Sequence, residues 1–355
     1  MLSFCLGKQR SFVWAVTGAD VNLYQLPAEN QIAAQAQSFS AGVQSGREAS
    51  AAALSLSRSL FEQLPAAAWA KPDWLLSADG VLLNGIPFSA LPDIASREHS
   101  EPLVAHHSLR ALPSELLLLH ANSEKPLNRF VGVGDPIYNL ADARRARNVA
   151  FVDAAHSQPE LTLGRLAGSD REIHAAAAKS GLPDVELLAG SEANGAALRK
   201  ALARTPRILH FAVHVVSPNG QPDQAALALS LTKDNLPELL TRETIASYHV
   251  PGSLVVLSGC SSGQGTTLPS AGLIGLSRAW LLAGADAVVV TSWPTVDDSG
   301  RFFSAFYSHL QTIKTGSLAS RASIALQQTK LEMLRSSGYR STAAYWAAYS
   351  IVSKE

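Results

Sequence analysis

At 355 residues the chain exceeds the ~100–200 residues typical of one domain, so two domains or one large two-part unit are expected. Hydrophobic residues reach 47% and charged residues only 16%, a composition that supplies ample core and excludes a disordered, charge-rich chain. Lys+Arg and Asp+Glu balance at 29 each, so no bulk charge draws the protein to nucleic acid or an anionic membrane, and any partner must be recognised locally.

Two cysteines, Cys5 and Cys260, make no disulfide framework, which points to a reducing, cytoplasmic compartment. No apolar stretch reaches the ~18–20 residues of a membrane span, and the longest candidate, Ala279 to Val290, is broken by Asp286. The start, MLSFCLGKQR, lacks a basic segment ahead of its short apolar run and makes a poor signal peptide. Met1 is expected to open either an excised region or a stand-alone domain.

Residues 2–6, 11–17 and 20–26 are short, β-rich and separated by turn residues, and read as a meander. Ala28 to Leu64 reads as two helices with a break near Gly42 and Gly46. Asp73–Ser77 and Val81–Leu83 look like strands flanking the Ala78-Asp-Gly80 turn. Leu103 to Leu112 is mixed, and Arg129–Asp135 is strand-like, ending in a Gly-Asp-Pro turn. Leu140 to about Pro159 reads as an exposed connector whose ARRARN cluster is a solvated face.

Beyond it, helices and strands alternate. Helices are expected at Asp170–Lys179, from a Ser191 cap to Ala203, at Thr241–Tyr248, at Ala271–Ala283, from Asp298 to Ile313 and from Ser317 to Ser336. Strands are expected at Val185–Leu188, Arg207–Val213, Ala226–Leu231, Ser253–Ser258, Ala287–Ser292 and Tyr349–Val352. That rhythm argues for an α/β fold with a mainly parallel sheet covered by helices on both faces. The unbroken apolar runs Leu254–Leu257 and Val288–Val290 suit strands buried on both sides.

In such sheets functional groups gather at the carboxyl ends of strands. Two buried strands end in reactive residues, Ile208-Leu-His-Phe-Ala-Val-His214 and Leu254-Val-Val-Leu-Ser-Gly-Cys260. If the strands are neighbours, their spacing of roughly 4.8 Å brings imidazole and thiol within reach. Such a pair is the minimum for an activated sulfur nucleophile, the imidazole lowering the thiol pKa and later protonating the leaving amine. Gly259 and Ser261-Ser-Gly263 leave room for a substrate backbone, and the Cys260 N–H is placed to hold an oxyanion. The bland readings stand beside this: a cysteine after an apolar strand is often a small buried hydrophobe, and a strand histidine a satisfied core residue. His210 and His214 do not form a zinc box, because four residues of strand span about 13 Å. His210 is read as structural or substrate-orienting. No metal or organic cofactor is required by this chemistry.

The residues LHFAVH214, VVLSGC260SSGQG, AGLIGLSRAWLLAGADAVVVTSWPTVDD298 and YWAAYSIV resemble the CHAT domain, a caspase-like cysteine peptidase often attached to tetratricopeptide repeats. The GCSSG core and the following W-x-x-x-D spacing are also similar to separase, of the same peptidase clan. Upstream, FCLGKQRSFVWAVTGADVNLYQLP, DWLLSADGVLLNGIPFSALP, RALPSELLL and VGVGDPIYN resemble the amino-terminal part of CHAT domains, so the likeness covers nearly the whole chain. It implies a caspase-type fold with a non-catalytic half at 1–150 and a catalytic half at 151–355. It also implies a dyad of His214 and Cys260, with the backbone N–H groups of Val215 and Cys260 as oxyanion donors. The family's histidine is commonly followed by Gly where Val215 stands, which tightens the approach past that side chain. Gly259, where Ala is usual, is expected only to add room.

The stretch Trp293–Asp298 is expected to wall the substrate cleft, with Ser292 pairing by its backbone and Trp293 forming an apolar side. Asp297 or Asp298 is a candidate acceptor for an Arg or Lys at P1; alternatively it caps the following helix. The resemblance implies a cysteine endopeptidase for a specific protein substrate, switched by a regulatory or sensor partner in bacterial defence or cell death. The competing reading is a pseudoprotease blunted at Val215 that serves as an interaction module. A hydrolase built on Ser261 or Ser262 lacks the G-x-S-x-G elbow.

Overall fold

The computed structural model describes residues 1–47, 50–83, 85–96, 101–114, 125–144, 163–217, 224–259, 270–296, 298 and 300–354. In chain order the strands are β1 (Leu2–Cys5), β2 (Ser11–Val16), β3 (Val21–Leu26), β4 (Asp73–Ser77), β5 (Ser108–Ala111), β6 (Leu127–Pro136), β7 (Asp184–Gly190), β8 (Pro206–Ala212), β9 (Val215–Val216), β10 (Ala226–Leu231), β11 (Pro237–Leu240), β12 (Leu254–Leu257), β13 (Ala287–Thr291) and β14 (Tyr349–Ser353). The helices are α1 (Glu29–Gln44), α2 (Ser50–Phe61), α3 (Ala66–Trp69), α4 (Ala167–Ser180), α5 (Gly195–Leu202), α6 (Arg242–Ala246), α7 (Ser270–Leu282), α8 (Arg301–Thr312), α9 (Leu318–Leu334) and α10 (Ala343–Trp346).

The chain divides into two compact units, one of Met1–Ser123, Asp286–Val296 and Ala305–Glu355, the other of Glu124–Ala285 and Asp297–Ser304. These units are not consecutive stretches, so they form a different division from the linear one at residue 150. Strand β6, upstream of 150, is part of the second unit.

In the first unit the strands run in the order β3-β2-β1-β4-β5-β14-β13. The meander β1–β3 is antiparallel, β1, β4, β5 and β14 pair in parallel, and β14 returns antiparallel to β13. Burial alternates strictly along Ser-Phe-Val-Trp-Ala-Val of β2, the small residues Ser11, Val13 and Ala15 lying on the buried face and Phe12, Trp14 and Val16 half-buried on the other, as the two-residue period of a strand requires. The core is aromatic: Phe61, Trp69 and Trp74 meet with ring centroids 5.2–6.2 Å apart, and α9 packs over β5, β13 and β14. Full burial of a side chain such as Phe61 contributes roughly 1.5–3 kcal/mol. Val81–Leu83 is not a strand but part of a 3-10 turn, Gly80–Leu83. The Asp79 carboxylate explains this, accepting from both Gly80 N (2.8 Å) and Leu6 N (2.7 Å) and tying the turn to the chain beyond β1.

In the second unit β12, β8, β6 and β7 lie side by side, all parallel, and β9–β11 form a small antiparallel sheet. Helix α4 crosses β6 closely because Gly132 and Gly134 carry no side chains there. A methyl group at Gly134 would lie 3.0 Å from both Ile173 Cγ2 and Ser169 O. Helix α5 is capped by Asn194, whose side chain accepts from Ala197 N at 2.9 Å, rather than by Ser191. Of this small sheet, β10 matches the strand expected at Ala226–Leu231, whereas β9, of two residues, and β11, which begins with proline, carry no strand signal in the sequence.

Candidate active site

Strands β8 and β12 are parallel neighbours, paired Leu254 to Ile208 through Leu257 to Phe211. The pairing runs one step further, with Ser258 N–H donating to Phe211 O at 2.8 Å. In each strand the reactive residue named from sequence is the third beyond the last pair, His214 after Phe211 and Cys260 after Leu257. Cys260 lies outside the described residues, as do Ser261, Ser262 and Asp297.

His214 is 1% exposed, immediately before β9. Its Nε2 stands 2.8 Å from Gly164 O. A carbonyl only accepts, so Nε2 carries the proton and Nδ1 of the neutral ring carries the lone pair. The ring packs 4.9 Å from that of Tyr138. The Tyr138 hydroxyl also enters the ladder, accepting from His214 N–H and donating to Ala228 O, each at 3.1 Å, while Ala228 N–H reaches His214 O at 2.9 Å. Burial pushes the Tyr138 phenol far above its ordinary pKa, which keeps that hydroxyl protonated as a donor.

This ladder decides where Val215 points. Opposed residues of an antiparallel pair alternate between bonded and non-bonded. His214 and Ala228 are the bonded pair, so Val215 opposite Leu227 is a non-bonded one and its N–H faces away from β10. The Val215 side chain is buried and reaches toward Gly259: Val215 Cγ2 would lie 3.0 Å from a methyl group there, and Val213 O only 2.1 Å. Gly259 thus does more than add room. Backbone passes backbone at that point, and only glycine fits.

Other site expectations resolve differently. His210 is fully buried, with Nε2 2.9 Å from Glu172 Oε1 and its ring edge-on to Phe303, a structural arrangement. Ser292 N–H donates to Ala348 O at 2.7 Å, so that group is already used, leaving the carbonyl for any strand pairing. The Trp293 indole is buried in the first unit and donates to Ala344 O at 2.8 Å. Asp298 accepts from Gly300 N and Phe302 N at 3.0 and 2.9 Å, the geometry of a helix cap for α8. Among the described residues no group of three or more His, Cys, Asp or Glu is placed to share a metal ion.

Sequence reasoning missed Gly164, Tyr138, Asp135 and Arg165. Asp135, near the carboxyl end of β6, is buried and ion-paired to both Arg144 and Arg165. Arg144, part of the cluster read as a solvated face, is instead held by Asp135 and Asp142. The Gly-Asp-Pro turn was visible, and the rule that strand ends carry function would have placed Asp135 and Tyr138 beside His214.

An α/β arrangement with a mainly parallel sheet of this kind is the fold of caspase-like cysteine proteinases. The complex of Porphyromonas gingivalis RgpB pro- and mature domains superposes with a TM-score of 0.50 at 8% identity, over 91% of this chain and 74% of that one. The Arg-specific cysteine proteinase gingipain R gives 0.47 at 8% identity, over 90% and 73%. Residues 49–354 match the CHAT domain, and the chain belongs to that family. Tetratricopeptide repeat protein 28 of Homo sapiens is 34% identical over 118 residues, and that of Mus musculus 32% identical over 118 residues. The match spans 33% of this chain but only 4% of either relative. Among the described residues, no helix is long and apolar enough to cross a membrane.

Proposed function

We propose that the protein is a cysteine endopeptidase of the CHAT type, with Cys260 as nucleophile and His214 as general base and acid. The observation that carries this reading is the buried His214 at the end of β8, beside β12, with Nε2–H committed to Gly164 O. Nδ1 then takes the Cys260 proton, the thiolate attacks the scissile carbonyl, and the imidazolium returns the proton to the leaving amine. Water, deprotonated by the same Nδ1, hydrolyses the thioester. The N–H groups of Val215 and Cys260 hold the oxyanion, and the direction of the Val215 N–H supports its part.

Its substrate is a protein chain bound in extended form. Asp297 is the remaining candidate for a basic P1 side chain, because Asp298 caps α8. The reaction needs no cofactor. The repeat-bearing name of the curated relatives fits control by an attached or partner sensor, since helical repeats present concave binding surfaces. A cytoplasmic role in bacterial defence or cell death is part of the same reading.

The test is alkylation by iodoacetamide near pH 7. A dyad-activated thiol reacts about tenfold faster than an ordinary one, because its thiolate fraction rises from a few per cent to most of the population while the lower pKa takes back part of that gain in nucleophilicity. Cys260 should therefore label well ahead of Cys5, and His214→Ala should remove the difference. The pseudoprotease reading is favoured by one observation, the Val215 side chain lying over Gly259. It expects equal, slow labelling of both cysteines, and partner binding that survives Cys260→Ala.

A further inference from the structure

Gly164, whose carbonyl orients His214, sits in an irregular stretch ahead of α4. One bond to a loop carbonyl orients an imidazole only if the loop is itself held. Both neighbours of Gly164 are held. Leu163 is buried in an apolar cluster with Tyr138, Val216, Ala226 and Ala228. Arg165 forks onto Asp135, with Nε donating to Oδ1 at 3.0 Å and Nη2 to Oδ2 at 2.8 Å. A bidentate guanidinium–carboxylate pair fixes angle as well as distance, which an ammonium cannot do.

Asp135 grips the same stretch a second time through its backbone. Its N–H donates to Ser169 Oγ at 2.8 Å, and that hydroxyl donates to Leu166 O at 2.7 Å. The residue does this from a left-handed backbone, φ 44°, with its side chain 4% exposed. A non-glycine residue is held there at a cost of order 1–3 kcal/mol, and such strain collects at working sites.

We infer that Asp135 and Arg165 are positioning residues for His214: through Gly164 O they hold its imidazole as the Nε2–H tautomer, so that Nδ1 faces its chemistry as an acceptor. The chemical purpose rests on the proposed dyad; the geometry does not. Arg144 supplies the internal control, since it also pairs with Asp135 but is remote in sequence from Gly164.

The experiment is 15N NMR of the full chain labelled at histidine, near pH 8 and in a Cys260→Ala background so that no thiolate holds the imidazole doubly protonated, with the His214 resonances assigned by their loss in His214→Gln. With Asp135, Arg144 and Arg165 as in wild type, this protein should show a single Nε2–H tautomer. Arg165→Met and Arg165→Lys should each give a mixture with about a third or more of the other tautomer, whereas Arg144→Met stays as wild type. Alkylation of Cys260 by iodoacetamide should fall about tenfold in Arg165→Met, in keeping with a small displacement of a catalytic group. A wild-type tautomer in folded Arg165→Met or Arg165→Lys overturns the inference, as does an equal effect of Arg144→Met. Should Arg165→Met fail to fold, Arg165→Lys carries the same expected and contrary results. If instead the dyad reading is wrong, Cys260 labels slowly already in wild type while the tautomer change in the Arg165 variants persists.

Discussion

Both units bury charged and polar groups at the amino ends of their parallel strands, and the second buries a further set at the carboxyl ends. In the first, Arg110 pairs with Asp73 at 2.6 Å and Ser108 Oγ donates to the same carboxylate, with Asp73 and Ser108 opening β4 and β5. In the second, Asp135, Tyr138 and His214 gather where β6 and β8 finish. The second unit also carries an amino-end cluster, Arg129 with Asp184 and Glu186, that merely staples β6 to β7. Burial alone therefore does not mark a site. Position along the strand direction does, because connections leave the carboxyl ends and open a crevice between them.

The strongest way to break this comparison is a matched pair of glycines. Gly259→Ala places a methyl group 2.1 Å from Val213 O, a clash of backbone that no rotamer relieves. It should cost more than about 3 kcal/mol or prevent folding, whereas Gly18→Ala in the first unit, with nothing within 4 Å, should shift stability by less than about 0.5 kcal/mol. Urea denaturation checks both; equal effects would remove the argument that the strand end is tightly built.

Lys330 sharpens the contrast from the other side. It is buried in the first unit, its ammonium donates to Ser89 Oγ at 2.8 Å, and burial pushes its pKa down from 10.5 to about 7. The folded state thus binds fewer protons than the unfolded one between those values. This group's contribution makes stability rise with pH across that window, on the order of 5 kcal/mol between the limits, and its destabilising effect is full below pH 7. Lys330→Met should be more stable than wild type near pH 6, with the gap closing toward pH 10 in denaturation midpoints. A gap that does not change with pH would place the amine in water.

Tyr138→Phe has the smaller effect. It removes the acceptor of His214 N–H and the donor to Ala228 O, which should cost about 1–3 kcal/mol. The loss should appear both as a lower denaturation midpoint and as faster hydrogen exchange at the His214 amide. An unchanged exchange rate would show that the hydroxyl is not part of the ladder.

Most of the alternation after residue 160 was legible because its signals are local. Apolar runs such as Leu254–Leu257 announce buried strands, and Thr241 and Ser317 announce helix caps, which their side chains supply at Thr244 N and Ser320 N. The strand Val81–Leu83 failed for the reverse reason, a carboxylate at Asp79 drawing in a donor from residue 6. The same limit explains the missed site residues. Gly164 and Asp135 look like turn punctuation, and nothing near them in sequence tells that one would meet His214 across fifty residues and the other two arginines.

The amino-acid order alone determined the α/β class, two buried strands running up to His214 and Cys260, and the family likeness, since each is written in short-range pattern. Only the tertiary structure decided that those strands are neighbours, which imidazole nitrogen holds the proton, which way the Val215 N–H faces, and why residue 259 must be glycine. Those are questions of hydrogen-bond partners and clearances between segments far apart in the chain, and a partner's position is set by packing, which no local pattern records.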